Sequence, residues 1–110
     1  MKSSEIKFTI ELDKDNVPDK ILWEATDNPN RKKEKAKAIA ISIWDAEQHA
    51  TMRIDLWEKD MPVDDMKLFC LETIGGMAEN IFVSTGDKIM SDQMKDLVKK
   101  LLVHLDNSKK

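Results

Sequence analysis

The sequence predicts an α+β fold: a four-stranded antiparallel sheet followed by two C-terminal helices packed on one of its faces, all in one domain, 1–110. Two observations carry this. From about residue 5 to residue 58 apolar side chains recur at every second position, the period of a strand with one buried face. Beyond Lys59 they recur every third or fourth position, the period of a helix. Strands first and helices last form segregated layers, and an alternating sheet offers one apolar face for helices to cover.

The first strand is the clearest, with Ile6, Phe8, Ile10 and Leu12 apolar between Lys7, Thr9 and Glu11. Asp13-Lys14-Asp15-Asn16-Val17-Pro18-Asp19 supplies turn formers and a proline that cannot donate to a ladder, so the chain reverses there. Ile21, Trp23 and Ala25 resume the alternation in a second strand, about 20–26, which Asp27-Asn28-Pro29-Asn30 ends. The alanines of 35–47 could suggest a helix, but Ile39, Ile41 and Ile43 stand two apart and are β-branched, which predicts a strand over 36–44. Met52, Ile54 and Leu56 give a fourth strand, about 50–58. With Ala46-Glu47-Gln48-His49 as the loop, facing positions sum to 95. Ile43 then faces Met52, Ile41 faces Ile54 and Ile39 faces Leu56.

The first helix is predicted over 62–84, with Asp60 as cap, Pro62 in the first turn, Asp64 and Asp65 at the positive end of the dipole, and Gly86 just past the end. Its apolar positions cover an arc of roughly 200°, wider than one sheet face requires. The second helix, 91–106, is capped by Ser91 and carries a narrower stripe of Met94, Leu97, Val98, Leu101, Leu102 and Leu105. Residues 1–4 and 107–110 are expected to be flexible.

Composition narrows the function classes. A chain of 110 residues has the size of one domain, and 41% hydrophobic with 35% charged residues describes a globular protein. A net charge of −3 argues against a dedicated nucleic-acid binder. Cys70 is the single cysteine, so the chain forms no internal disulfide and has no cysteine-rich zinc site. The start of the chain has no apolar leader, and no stretch reaches the ~18 apolar residues of a membrane span. The expectation is a cytoplasmic protein without direct membrane insertion.

Catalytic and metal chemistry finds little support in the residues. His49 falls in a hairpin loop and His104 on a helix flank, with no partner at motif spacing. Asp13-Lys14-Asp15-Asn16 begins like a calcium loop, but Val17 replaces a ligand and the central Gly and closing Glu are missing, so it reads as a turn. Gly75-Gly76 has no preceding strand and no following Lys-Ser or Lys-Thr, so it is not a phosphate loop; close approach of another backbone or a kink explains the pair better. Arg31, Lys32, Lys33, Lys35 and Lys37 form a basic run of the kind that guards an exposed strand edge. Cys70 sits on the apolar arc of the first helix as a core residue, and Met66, Met77 and Met94 read as core filling, although Met-rich surfaces also serve adaptable binders. No catalytic, cofactor-binding or metal-binding residue is assigned, and the chain is expected not to be an enzyme and to need no cofactor.

The tryptophans are more informative. Trp23 shares the core face of its strand with Ile21 and Ala25. Trp44 and Trp57 fall instead on the opposite face of the second hairpin, among Ala38, Ala40, Ser42, Thr51, Arg53 and Asp55. Indoles among small residues on a face that ought to meet solvent suggest a contact with a partner protein or a second copy, and Trp44, Arg53, Asp55 and Trp57 are its candidate residues.

Ile6-Lys7-Phe8-Thr9-Ile10-Glu11-Leu12-Asp13, Val17-Pro18-Asp19-Lys20-Ile21, Trp23-Glu24-Ala25-Thr26-Asp27 and Ser42-Ile43-Trp44-Asp45, and above all Arg53-Ile54-Asp55-Leu56-Trp57-Glu58-Lys59-Asp60-Met61-Pro62-Val63-Asp64-Asp65-Met66, resemble the gliding-motility protein GldC family of Bacteroidetes. The resemblance covers about residues 5–69; the two helices match by position and period. It implies a small cytoplasmic accessory or adaptor protein of the gliding-motility machinery, a process coupled to protein secretion. The implied partner is a protein component of that machinery. The rival expectation is a holdase, because four strands followed by two helices is also the element order of the SecB export chaperone.

Overall fold

The computed structural model describes residues 2–28 and 33–108. Arg31 and Lys32 of the basic run, Pro29 and Asn30 of the expected turn, and Lys109 and Lys110 of the tail lie outside the described residues, as does Met1. The chain divides into two compact units, Met1–Met61 and Pro62–Lys110.

Among the described residues the first unit holds five strands: β1 (Ile6–Leu12), β2 (Pro18–Ala25), β3 (Glu34–Ala36), β4 (Ala38–Trp44) and β5 (Thr51–Trp57). They form an antiparallel three-stranded sheet, β1-β2-β3, and the antiparallel hairpin β4-β5. The single four-stranded sheet expected from sequence is therefore replaced by two sheets. The break falls at Lys37, where a bend divides the predicted third strand into β3 and β4. Each half then pairs with a different strand, β3 with β2 and β4 with β5.

In the three-stranded sheet the apolar phase meets across the strands: Ile6 faces Ala25, Phe8 faces Trp23 and Ile10 faces Ile21. Ile21 is fully buried, while Phe8, Ile10 and Trp23 are half-buried. Pro18, expected in the turn, opens β2 opposite Leu12, after a register irregularity at Glu11 and Leu12. Strand ends tolerate proline because an outer N–H is not needed for the ladder. The turn is built on Asp13: Oδ1 accepts from the Asp15 and Val17 amides at 2.8 and 3.0 Å, and Asn16 takes the left-handed conformation (φ 61°). This carboxylate, which could have opened a calcium loop, is occupied by the turn itself.

The second unit is a pair of helices, α1 (Val63–Thr85) and α2 (Lys88–Ser108). The cap of α1 differs from expectation. Pro62 occupies the N-cap without a side-chain bond, and the Asp60 carboxylate is held by Lys37 Nζ at 3.1 and 3.2 Å instead. At the other end Gly86 is left-handed (φ 74°) and its amide donates to the Phe82 carbonyl, the arrangement glycine permits. α2 starts three residues earlier than predicted, because Asp87 rather than Ser91 is the cap: its Oδ1 accepts from the Met90 amide at 2.9 Å. Ser91 is buried against α1, with its hydroxyl donating to the Ala78 carbonyl at 2.9 Å. Asn107 and Ser108, expected to be flexible, are helical.

Ala78, Leu71 and Ser91 form the buried seam of the pair. α1 runs unbroken through Gly75 and Gly76, and a Cβ built on either would meet no heavy atom within 4 Å, so the close backbone approach expected there is not found. Cys70, expected in the core, is exposed.

Candidate functional site

The β4-β5 hairpin positions the candidate residues through the register that facing apolar pairs predict. All seven pairs sum to 95, from Ala38 opposite Trp57 to Trp44 opposite Thr51. One face carries Ala38, Ala40, Ser42 and Trp44 alongside Thr51, Arg53, Asp55 and Trp57.

The turn fixes one end of this face. Asp45 Oδ2 accepts from the Glu47 and Gln48 amides at 3.1 and 2.6 Å, the His49 amide donates to the Asp45 carbonyl, and His49 takes φ 51°. These bonds bring His49 edge-on to Trp44, with ring centroids 6.4 Å apart at 78°. In the middle of the face Arg53 grips Asp55 with two bonds, Nε to Oδ2 at 3.0 Å and Nη2 to Oδ1 at 2.7 Å, while Nη1 donates to Ser42 Oγ at 2.6 Å. The Arg53 guanidinium holds the Asp55 carboxyl below the usual carboxylate range, and Asp55 raises Arg53 in turn. Both side chains stay solvent-facing, so the pair orders the surface more than it stabilises the fold. Trp57 fixes the other end, next to a mainly apolar recess that it lines with Val17, Pro18, Asp55 and Leu56.

The structure therefore brings Arg53, Asp55 and Ser42 into one bonded group and sets the two indoles at opposite ends. Trp44 and the Ala38 that faces Trp57 are six residues apart on β4, a span of about 20 Å. Trp44 is 64% exposed and Trp57 50%.

The opposite face of the hairpin departs from expectation. Ile43, Met52 and Ile54, assigned inward, are 51%, 59% and 49% exposed. The apolar pairing is as predicted, but pairing alone does not cover a face.

Sequence reading missed a charged node that anchors the site. Glu58 is buried, and its Oε1 accepts from the Ile21 amide at 3.4 Å while Oε2 lies 2.9 Å from Lys37 Nζ. Lys37 also binds Asp60, and the two carboxylates raise its ammonium above the ordinary lysine range, Glu58 more than Asp60. Beside it Lys59 reaches Asp13 at 3.1 Å and Asp19 at 3.4 Å, so the run Glu58-Lys59-Asp60 ties the hairpin to the β1-β2 sheet. The available signal was phase: Glu58 continues the inward series Ile54, Leu56, and a carboxylate in that phase demands a partner.

Among the described residues no group of three or more His, Cys, Asp or Glu could hold a metal, and no helix is long and apolar enough to cross a membrane. Comparison with curated proteins and with solved structures finds no match. The comparison with protein families matches residues 18–107 to the GldC-like family, described as gliding motility-associated protein GldC-like. The matched span takes in both helices, which the resemblance reached only by position, and leaves out β1. It covers well over half of the sequence, and on that ground the chain belongs to the GldC-like family.

Proposed function

We propose that this protein is a non-enzymatic, cytoplasmic accessory of the gliding-motility machinery, acting as an adaptor through the Trp44–Trp57 face of the β4-β5 hairpin. One observation carries the reading: two half-exposed or more exposed indoles stand at the ends of a strand face whose centre is an ordered, self-neutralised Arg53-Asp55-Ser42 group. In interfaces tryptophan is among the residues whose loss costs most. The floor of Ala38, Ala40 and Ser42 leaves room between them for a partner's side chains. Membership of a gliding motility-associated family supplies the process, and the partner is then a protein component of the motility or secretion machinery.

The test is capture of partners from motile cells by the full-length chain, compared with Trp44→Ala and Trp57→Ala. A motility component retained by the wild type and lost by both variants, with circular dichroism unchanged, supports the reading. Equal retention by all three, with normal gliding in cells carrying the double variant, would remove it.

The second reading, a holdase, draws on the exposed apolar residues of the helices, Met77, Phe82, Met90 and Leu97 among them. It requires suppression of the aggregation of an unrelated unfolded protein at stoichiometric amounts, independent of Trp44 and Trp57.

A further inference from the structure

At 100° per residue, the five charged residues of α1 (Asp64, Asp65, Lys67, Glu72, Glu79) fall within roughly 160° of arc. The charged residues of α2, from Lys88 to Asp106, fall within roughly 140°. The two charged arcs approach one another on one side of the helical pair, where Lys95 Nζ lies 3.6 Å from Glu79. The other side is different. Met66 and Cys70 of α1 line an apolar cleft together with Leu101 and His104 of α2, with Lys67 at its edge, which establishes that these arcs share a face. Continuing along that face come Thr73 and Met77 on α1, and Leu97 and Met90 on α2. Outside the seam, a helical surface thus runs the length of both helices with Lys67 at its edge as the one charged residue lining its cleft, in a chain that is 35% charged. Met77, Met90 and Leu97 on it are 46%, 47% and 46% exposed.

We infer that this face is a self-association surface, on which a second copy of the chain packs its own α1-α2 pair to complete a four-helix bundle about a twofold axis. Size selects the occupant. The 21 residues of α2 are about 32 Å long and two packed helices about 20 Å wide, so the footprint is on the order of 600 Å² per copy. Twice that reaches the area at which stable interfaces begin, about 1,200 Å² in total. A second helical pair matches both dimensions, and an isologous contact asks only that the patch be complementary to itself, as a mainly apolar one is. The apolar arc of α1 fits a helix with two helical neighbours rather than one. Gly76 borders the same face, and among the described residues no heavy atom lies within 4 Å of a Cβ built there.

Light scattering across a concentration series of the full chain tests this, with Leu97→Glu and Met90→Glu at positions where half of the side chain already meets solvent. The wild type is expected at twice the 12.7 kDa chain mass, each glutamate variant at 12.7 kDa with helical circular dichroism retained, and Trp57→Ala still at the doubled mass. A wild type that stays at 12.7 kDa, or a dimer indifferent to both glutamates, overturns the proposal. If the variants lose helicity, thiol labelling of wild-type Cys70 decides. Labelling that slows as protein concentration rises supports the contact, and labelling independent of concentration refutes it.

Discussion

Lys37 Nζ lies 2.9 Å from Glu58 Oε2, and the Glu58 amide donates to the Lys37 carbonyl at 2.8 Å, so the two residues face one another at the bend where β3 gives way to β4. The pairing joins the sheets through both backbone and side chain. Removing Glu58 therefore does more than cancel a charge. Glu58→Ala takes an acceptor from the amide of the fully buried Ile21, for which a cost of about 1–3 kcal/mol is expected. Glu58→Gln keeps an acceptor for Ile21 and loses only the charge, so it should be the milder change. Urea unfolding of the two variants checks the order; a Gln variant no more stable than Ala would show that the charge, which both lose, and not the acceptor for the Ile21 amide, governs the node.

This node also marks how far the sequence could be read. The sum of 95 that sets Ile43 opposite Met52, Ile41 opposite Ile54 and Ile39 opposite Leu56 sets Lys37 opposite Glu58 as well. The pair was legible in principle, hidden because a charged pair in the inward phase resembles the end of a strand. The split into two sheets was less legible, since Ala36 and Ala38 both favour a continuing strand and nothing local to Lys37 demands a bend. Cap identity failed for a similar reason. Asp60 and Ser91 have the right chemistry for caps, but Asp60 is drawn to Lys37 and Ser91 to the Ala78 carbonyl, partners 23 and 13 residues away. Trp44, Arg53, Asp55 and Trp57 share one face as strand alternation requires, whereas the bidentate grip of Arg53 on Asp55 depends on rotamers that no pattern reveals.

The glycines of α1 separate two physical effects. Gly75 is helical with open space where a Cβ would stand, so Gly75→Ala should raise stability by about 0.5–1 kcal/mol through helix propensity and a less flexible unfolded chain. Gly86 has equal room but φ 74°, so Gly86→Ala should lower stability by about 1 kcal/mol despite the absence of any clash. Thermal unfolding monitored by circular dichroism distinguishes them, and shifts of the same sign would contradict the argument.

The ion pairs predict a two-sided pH profile. In the folded state Asp13 lies below its ordinary 3.8, chiefly through the Val17 amide, then Lys59 and the Asp15 amide. Asp60 is lowered from the same value chiefly by Lys37. Carboxyls lowered by folding stabilise above their unfolded pKa, and that contribution is lost as pH falls through the folded one. Lys37 and Lys59 are raised above 10.5, so their contribution is present below that value and is lost as pH rises through the raised one. The urea midpoint should be flat between about pH 5 and pH 9 and fall on both sides. Asp13→Asn, which keeps an acceptor for the turn amides, should make the acid limb shallower, and added salt should flatten both limbs because Lys37, Lys59 and Asp60 are exposed. An acid limb unaltered in Asp13→Asn would mean that other carboxylates set it.

Ser91 and Ala78 set the closeness of the two helices. Both are buried, at 1% and 0% exposure, and the hydroxyl reaches the Ala78 carbonyl at 2.9 Å. That oxygen belongs to a helical peptide whose N–H···O=C bond to the next turn persists without the serine, so Ser91→Ala loses one supplementary bond in a site that needs no larger group. The expected cost is about 0.5–1.5 kcal/mol. Ser91→Leu is a different perturbation, because the added atoms must displace α1 at a site that is already fully buried, and about 1–3 kcal/mol or more should be lost to overpacking. Equilibrium unfolding of the two variants separates the bond from the packing. If Ser91→Leu proved as stable as Ser91→Ala, the helices would have room to part at this crossing, and the seam would be held by Leu71 and its neighbours rather than by the small pair.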